Sequence, residues 1–158
     1  MGLDFDGTRP LLLSVSGTGG RVSGLGLSDK VAEIMAQENP NCTWDSYRRF
    51  VSSYASVVWR LDPEPFRIEL ERVRDELSKR DQLSGRVEEW QLPTHALRQL
   101  VETYKAIFEE LTGAAFPEDP EVQLKQTIEA LGDGVLVESP WDGKGTELRG
   151  NDYSLIIL

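Results

Sequence analysis

Between residues 44 and 131 apolar side chains recur every three or four positions, the period of helices that bury one face. Trp44, Tyr47, Val51, Tyr54 and Val58 form one stripe, with Thr43 at the N-cap position. Phe66, Leu70, Val73 and Leu77 form a second after Asp62-Pro63. The widest stripe runs through Leu97, Leu100, Val101, Tyr104, Ile107, Phe108 and Leu111 and closes at Gly113, a C-cap residue. Shorter helices are expected from Ser28, an N-cap, to about Glu38, around Val87 and Trp90, and over 121–131 behind Pro117 and Pro120, while Asn39-Pro40-Asn41 breaks the chain. No such helix can bury its face alone. The pattern therefore predicts a bundle in which Tyr47, Phe50, Tyr54, Leu70, Val73, Leu100, Tyr104 and Phe108 share one core.

The two ends follow a different pattern. Residues 10–16 hold a short continuous apolar run that enters a segment with Gly17, Gly19, Gly20, Gly24 and Gly26, as a buried strand enters a glycine-rich turn. Val135-Leu136-Val137 and Leu155-Ile156-Ile157-Leu158 are further apolar runs, set apart by Pro140, Gly143, Gly145 and Gly150. The expected fold is mainly α, an irregular helical bundle with a small β element formed by the N- and C-terminal segments. It divides into a strand and glycine-rich loop (1–27), a helical domain (28–132) and a C-terminal extension (133–158). That extension is either strand-like or docks on a partner through Trp141, Tyr153, Leu155, Ile156, Ile157 and Leu158.

Composition narrows the function. Seventeen basic against 27 acidic residues give a net charge of −10, which disfavours nucleic acid and anionic membrane surfaces. One cysteine, Cys42, and one histidine, His95, leave no disulfide framework and few histidine-centred metal sites. No apolar run approaches the ~20 residues of a membrane helix, and the first residues lack a secretion signature. No cofactor is expected; the expected partner is another protein or larger assembly, rather than a small molecule.

Candidate chemistry is sparse. Bare amides in the glycine loop can cradle an anion, but a dinucleotide fingerprint would need glycine at Val22 or Asp29. A P-loop at Gly143-Lys144-Gly145-Thr146 fails because Glu138 occupies the first glycine position. His95 has no nucleophile and carboxylate in a recognisable motif, and Cys42 reads as a small buried thiol. Trp44 and Trp90 read as core, Trp59 and Trp141 as interface residues. Arg67–Glu71, Arg72–Glu76 and Asp75–Lys79 lie at helical i, i+4 spacing and read as a solvated face.

Five blocks carry more than their period: Asp45-Ser46-Tyr47-Arg48-Arg49-Phe50, Leu100-Val101-Glu102-Thr103-Tyr104-Lys105, Thr112-Gly113, Phe116-Pro117-Glu118-Asp119-Pro120 and Gln123-Leu124. In this order and spacing, over residues 11 to about 131, the chain resembles the nucleotide-binding domain of pyruvate phosphate dikinase. The resemblance implies a helical insert within an ATP-grasp domain, preceded by a strand and a Ser-Val-Arg-Ser-Gly loop whose arginine contacts nucleotide phosphates. This sequence reads Ser14-Val15-Ser16-Gly17 and lacks that arginine, while Arg21 resembles a later arginine of some members. The resemblance places the metal-holding carboxylates beyond the matched region, and His95 is outside the phosphate-carrying histidine's motif. Gly143-Lys144-Gly145-Thr146-Glu147-Leu148 faintly resembles the family's N-terminal Gly-Gly-Lys-Gly-Ala-Asn-Leu, at the wrong end of the chain.

Three readings follow. The first is a non-catalytic, dikinase-derived accessory domain, structural or regulatory, acting through protein contacts. The second is an ATP-binding fragment completed by another polypeptide, with Ser16, Gly17, Gly19, Gly20 and Arg21 at the nucleotide. The third, a small-molecule sensor, requires a sizeable apolar pocket between bundle and strands. The family's distribution makes plastid, cytosolic or other intracellular settings the expected ones.

Overall fold

The computed structural model describes residues 12–80, 85, 87–132 and 134–138, together with the backbone of 145–148. Strands β1 (Leu13–Gly17) and β2 (Gly20–Leu25) form an antiparallel hairpin and are followed by helices α1 (Asp29–Met35), α2 (Pro40–Val57) and α3 (Glu64–Arg80). A single 3-10 turn (Glu89–Gln91) leads into α4 (Thr94–Thr112) and α5 (Pro120–Leu131), and strands β3 (Val135–Glu138) and β4 (Gly145–Leu148) complete the order. The chain is mainly α with a small β element in which β3, from the C-terminal side, pairs antiparallel with β1, and the four strands run β2-β1-β3-β4.

The sheet obeys the period of two. Val15 lies opposite Val22 and Val137, and all three are buried on the face that α2 and α5 cover. Ser14, Ser16, Arg21, Ser23, Leu136 and Glu138 alternate with them and are at least partly exposed. Helices thus cover one face of the sheet among the described residues, and the other is largely polar.

Capping explains the helix boundaries. Ser28 caps α1 by accepting the Val31 N–H at 3.2 Å, as the sequence predicts. Asn39-Pro40-Asn41 is a helix start rather than only a break: the Asn39 side chain accepts the Cys42 N–H at 3.3 Å and Pro40 takes the first helical position, where a missing N–H costs nothing. Thr43, expected as the cap, is buried inside the helix. Cys42 then lies on the solvent side of the first turn and is exposed, against expectation. The helix expected around Val87 and Trp90 shrinks to the 3-10 turn, which leaves Trp90 81% exposed instead of in the core. Leu111 is half-exposed on the last turn of α4, where the apolar stripe runs out. Gly113 takes the left-handed C-cap conformation (φ 74°), as expected.

All eight expected core residues are buried in one cluster. Phe116, from the loop between α4 and α5, joins it: its ring lies 5.7 Å from Phe50, 5.3 Å from Tyr54 and 5.4 Å from Phe108, in edge-to-face arrangements. On α3 the solvated face is real, with Arg67 bonded to Glu64 and Arg72 to Glu69 and Glu76. Arg74 departs from it. Its guanidinium is buried and donates to the Val87 carbonyl at 2.6 Å, with Glu71 at 3.0 Å as counter-ion. No described helix is long and apolar enough to cross a membrane.

Candidate functional site

Where β2 meets α2, a cleft of about 380 Å³ opens at the edge of the sheet's polar face. Leu12, Leu13, Leu27 and Gly24 give it an apolar floor; Ser14, Arg21 and Ser23 line it from the hairpin, Ser46 and Arg49 from α2, and Glu138 from β3. Strand register makes the hairpin wall: Ser14 pairs with Ser23, their hydroxyl oxygens 2.7 Å apart, and Arg21 Nε donates to Ser14 Oγ at 3.2 Å. Gly24 lets β2 approach α2 here. It has φ +94°, and a side-chain Cβ would stand 3.1 Å from Phe50 Cβ. Arg49 is exposed and held by Asp45, with Nε donating to Oδ2 at 2.9 Å and Glu89 at 3.6 Å.

Of the five residues singled out for nucleotide, only Arg21 lines this cleft. Ser16 is half-buried on β1, directly opposite Arg21. The glycine turn itself presses on the helices: Gly17 and Gly19 face Leu131 of α5, and Gly20 (φ +136°) faces Val57 of α2. His95 is exposed in the first turn of α4, and Gly145 and Thr146 belong to β4. Trp141, Lys144, Tyr153, Leu155, Ile156, Ile157 and Leu158 lie outside the described residues. Sequence reasoning missed Ser46 and Arg49, although they sit next to Tyr47 and Phe50 of the expected core, and it missed Glu138, which only the β1–β3 pairing brings in.

A second cluster gathers residues from distant segments. Tyr47 of α2 is buried, and its hydroxyl donates to Asp29 Oδ1 at 2.9 Å, with Glu118 Oε2 at 3.2 Å. Lys105 of α4 donates to Asp29 Oδ1 at 2.9 Å and to Tyr47 Oη at 3.2 Å, and it also bonds Glu118. Burial, reinforced by the Glu118 and Asp29 charges, pushes the Tyr47 phenol far above its ordinary range. Burial also opposes charge on Asp29 and Lys105. The contacts win in both: Lys105 and Tyr47 hold Asp29 below its usual value, and Glu118 and Asp29 hold Lys105 above its own.

Two more buried polar side chains tie loops to helices. Gln123, fully buried on α5, accepts the Gly26 N–H at 2.9 Å and donates to the carbonyls of Leu27 at 2.9 Å and Pro117 at 2.7 Å. Arg48 is 4% exposed and bonds Asp45 at 2.6 Å and Glu89 at 3.3 Å. Desolvation opposes its charge, but Asp45 outweighs that and raises its pKa. Among the described residues no three His, Cys, Asp or Glu side chains converge to hold a metal ion.

The architecture is that of a helical domain backed by an antiparallel sheet, with a small-molecule-sized cleft at the seam. Its kinship is specific: the chain is 36% identical over 137 positions to a pyruvate, phosphate dikinase of Rhizobium meliloti (strain 1021), a match covering 80% of this chain and 14% of that protein. The chloroplastic pyruvate, phosphate dikinase 1 of Arabidopsis thaliana is 32% identical over 160 positions, covering 96% of this chain and 15% of the relative, and the Clostridium symbiosum dikinase is 31% identical over 138. No protein-family model matches the chain. The chain therefore derives from the pyruvate, phosphate dikinase family, as a segment spanning 14–15% of the length of these relatives.

Proposed function

We propose that this domain does not transfer phosphoryl groups by itself and acts as a structural or regulatory unit through contacts with another polypeptide. One observation carries the reading: among the described residues helices cover a single face of the sheet, while the other presents Ser14, Ser16, Arg21, Ser23, Leu136 and Glu138. Two further points support it. The block residues Tyr47, Lys105, Glu118, Gln123 and Arg48 are engaged in holding the fold, and the position after Val15 carries Ser16 rather than arginine. Phosphoryl transfer depends on positioned cationic charge and metal. The terminal run Leu155-Ile156-Ile157-Leu158 is the segment proposed to dock, together with Trp141 and Tyr153.

The test has two parts. The purified chain is expected to show no magnesium-dependent ATP hydrolysis. Deleting residues 151–158 is expected to leave the thermal melt intact while abolishing association with the co-purifying protein; loss of the melt would make the segment part of the core instead.

A second reading, an ATP-binding fragment completed by another polypeptide, is favoured by one register pair. Arg21 stands directly opposite Ser16 on the β1–β2 ladder, so its guanidinium emerges one strand away from the vacated arginine position. Melting with and without magnesium-ATP separates the readings. A ligand at 100 times its dissociation constant adds about 2.7 kcal/mol, a rise of several degrees, whereas the first reading expects no such rise.

A further inference from the structure

The cleft between β2 and α2 has a chemistry of its own. Its volume of about 380 Å³ is in the range of small-molecule sites, and most of its floor is apolar. Set around that floor are two guanidinium groups, Arg21 from the hairpin and Arg49 from α2, the latter engaged by Asp45 through Nε and by Glu89 through Nη2 and so offering its remaining Nη1. Arg21 spends only Nε, on Ser14 Oγ at 3.2 Å, and its two Nη groups have no partner among the described residues. A guanidinium fork with free N–H donors matches the oxygens of a phosphate, and of the linked Ser14 and Ser23 hydroxyls, 2.7 Å apart, the one that accepts within the pair keeps its proton to donate to the same group. Glu138 sets a second requirement. Its carboxylate repels a bare polyanion and accepts a hydrogen bond, so it selects a ligand that also offers a hydroxyl.

We propose that this cleft binds a phosphate monoester of a hydroxylated small molecule, of sugar-phosphate size, with Arg21 and Arg49 on the phosphate and Glu138 on a hydroxyl. The inference goes beyond the reading above: it names a small-molecule ligand class for the cleft and stands on the cleft's own geometry.

Titrating the full chain with ribose 5-phosphate, and separately with ribose and with inorganic phosphate, tests it by amide NMR shifts at Ser14, Ser23 and Gly24. Ribose 5-phosphate is expected to give saturable shifts, with each half-molecule weaker by about tenfold or more. Arg21→Ala, an exposed strand position whose unchanged melt confirms folding, is expected to weaken the ester by about tenfold or more, and Glu138→Gln to weaken the ester but not inorganic phosphate. Absence of saturable shifts at millimolar ester, binding that survives Arg21→Ala, or equal binding of inorganic phosphate overturns the proposal. Such a failure leaves association with another polypeptide intact, whereas ATP hydrolysis by the chain would overturn the regulatory reading and not the cleft chemistry.

Discussion

The hydroxyl of Tyr47 donates to Asp29 Oδ1 at 2.9 Å, joining the middle of α2 to the first turn of α1. Lys105 closes the same contact from α4, and Glu118 from the loop that precedes α5, so four segments are pinned at one point. Because Asp29 is held below its usual pKa in the fold, this contact stabilises above the ordinary carboxylate range and is lost as pH falls through the folded value. Asp29→Asn is therefore expected to lower stability at pH 7 and to flatten the stability loss below about pH 4, relative to the parent chain. Urea melts of both proteins at neutral and acid pH check this; parallel pH profiles would refute it.

Gln123 holds three backbone groups at once from a fully buried position. Gln123→Leu keeps the volume but leaves the Gly26 N–H and the Leu27 and Pro117 carbonyls unpaired. At about 1–3 kcal/mol for each unsatisfied group, with partial relaxation, a loss of about 3 kcal/mol or more is expected in denaturant melts.

Arg60 follows α2 in the left-handed region, with φ 55°, and is the one described non-glycine residue with positive φ. The next residue, Leu61, donates its N–H back to the Ala55 carbonyl at 3.1 Å, so the turn is locked. Glycine relieves the left-handed strain at the expense of chain entropy. Arg60→Gly is expected to raise stability by roughly 0.5–1 kcal/mol, the difference of those two effects, read as a higher denaturation midpoint with an unchanged slope.

Phe116 and Trp90 make a contrasting pair. Phe116→Ala removes a ring that touches Phe50, Tyr54 and Phe108 at 4% exposure, and is expected to cost about 3–5 kcal/mol. Trp90→Ala, at 81% exposure, is expected to stay within about 0.5 kcal/mol of the parent. Thermal melts of the two variants under one condition decide both.

Local pattern was enough for the long helices, the Ser28 and Gly113 caps and the shared aromatic core, because a 3.6-residue period records which face each helix buries before any partner is known. The dikinase kinship was equally legible, since it lies in the order of sequence blocks. Tertiary structure alone decided that Phe116, a loop residue without a period, completes the core, and that Trp90, within reach of an apolar pattern, stands in solvent on a single 3-10 turn. It alone brought the candidate site together, because Arg21, Arg49 and Glu138 become neighbours only through the β1–β3 pairing and the packing of β2 on α2. Gln123 and Gly26, 97 residues apart, meet for the same reason: hydrogen bonds and ion pairs between distant segments depend on how the faces pack, and periodicity specifies the faces without specifying their partners.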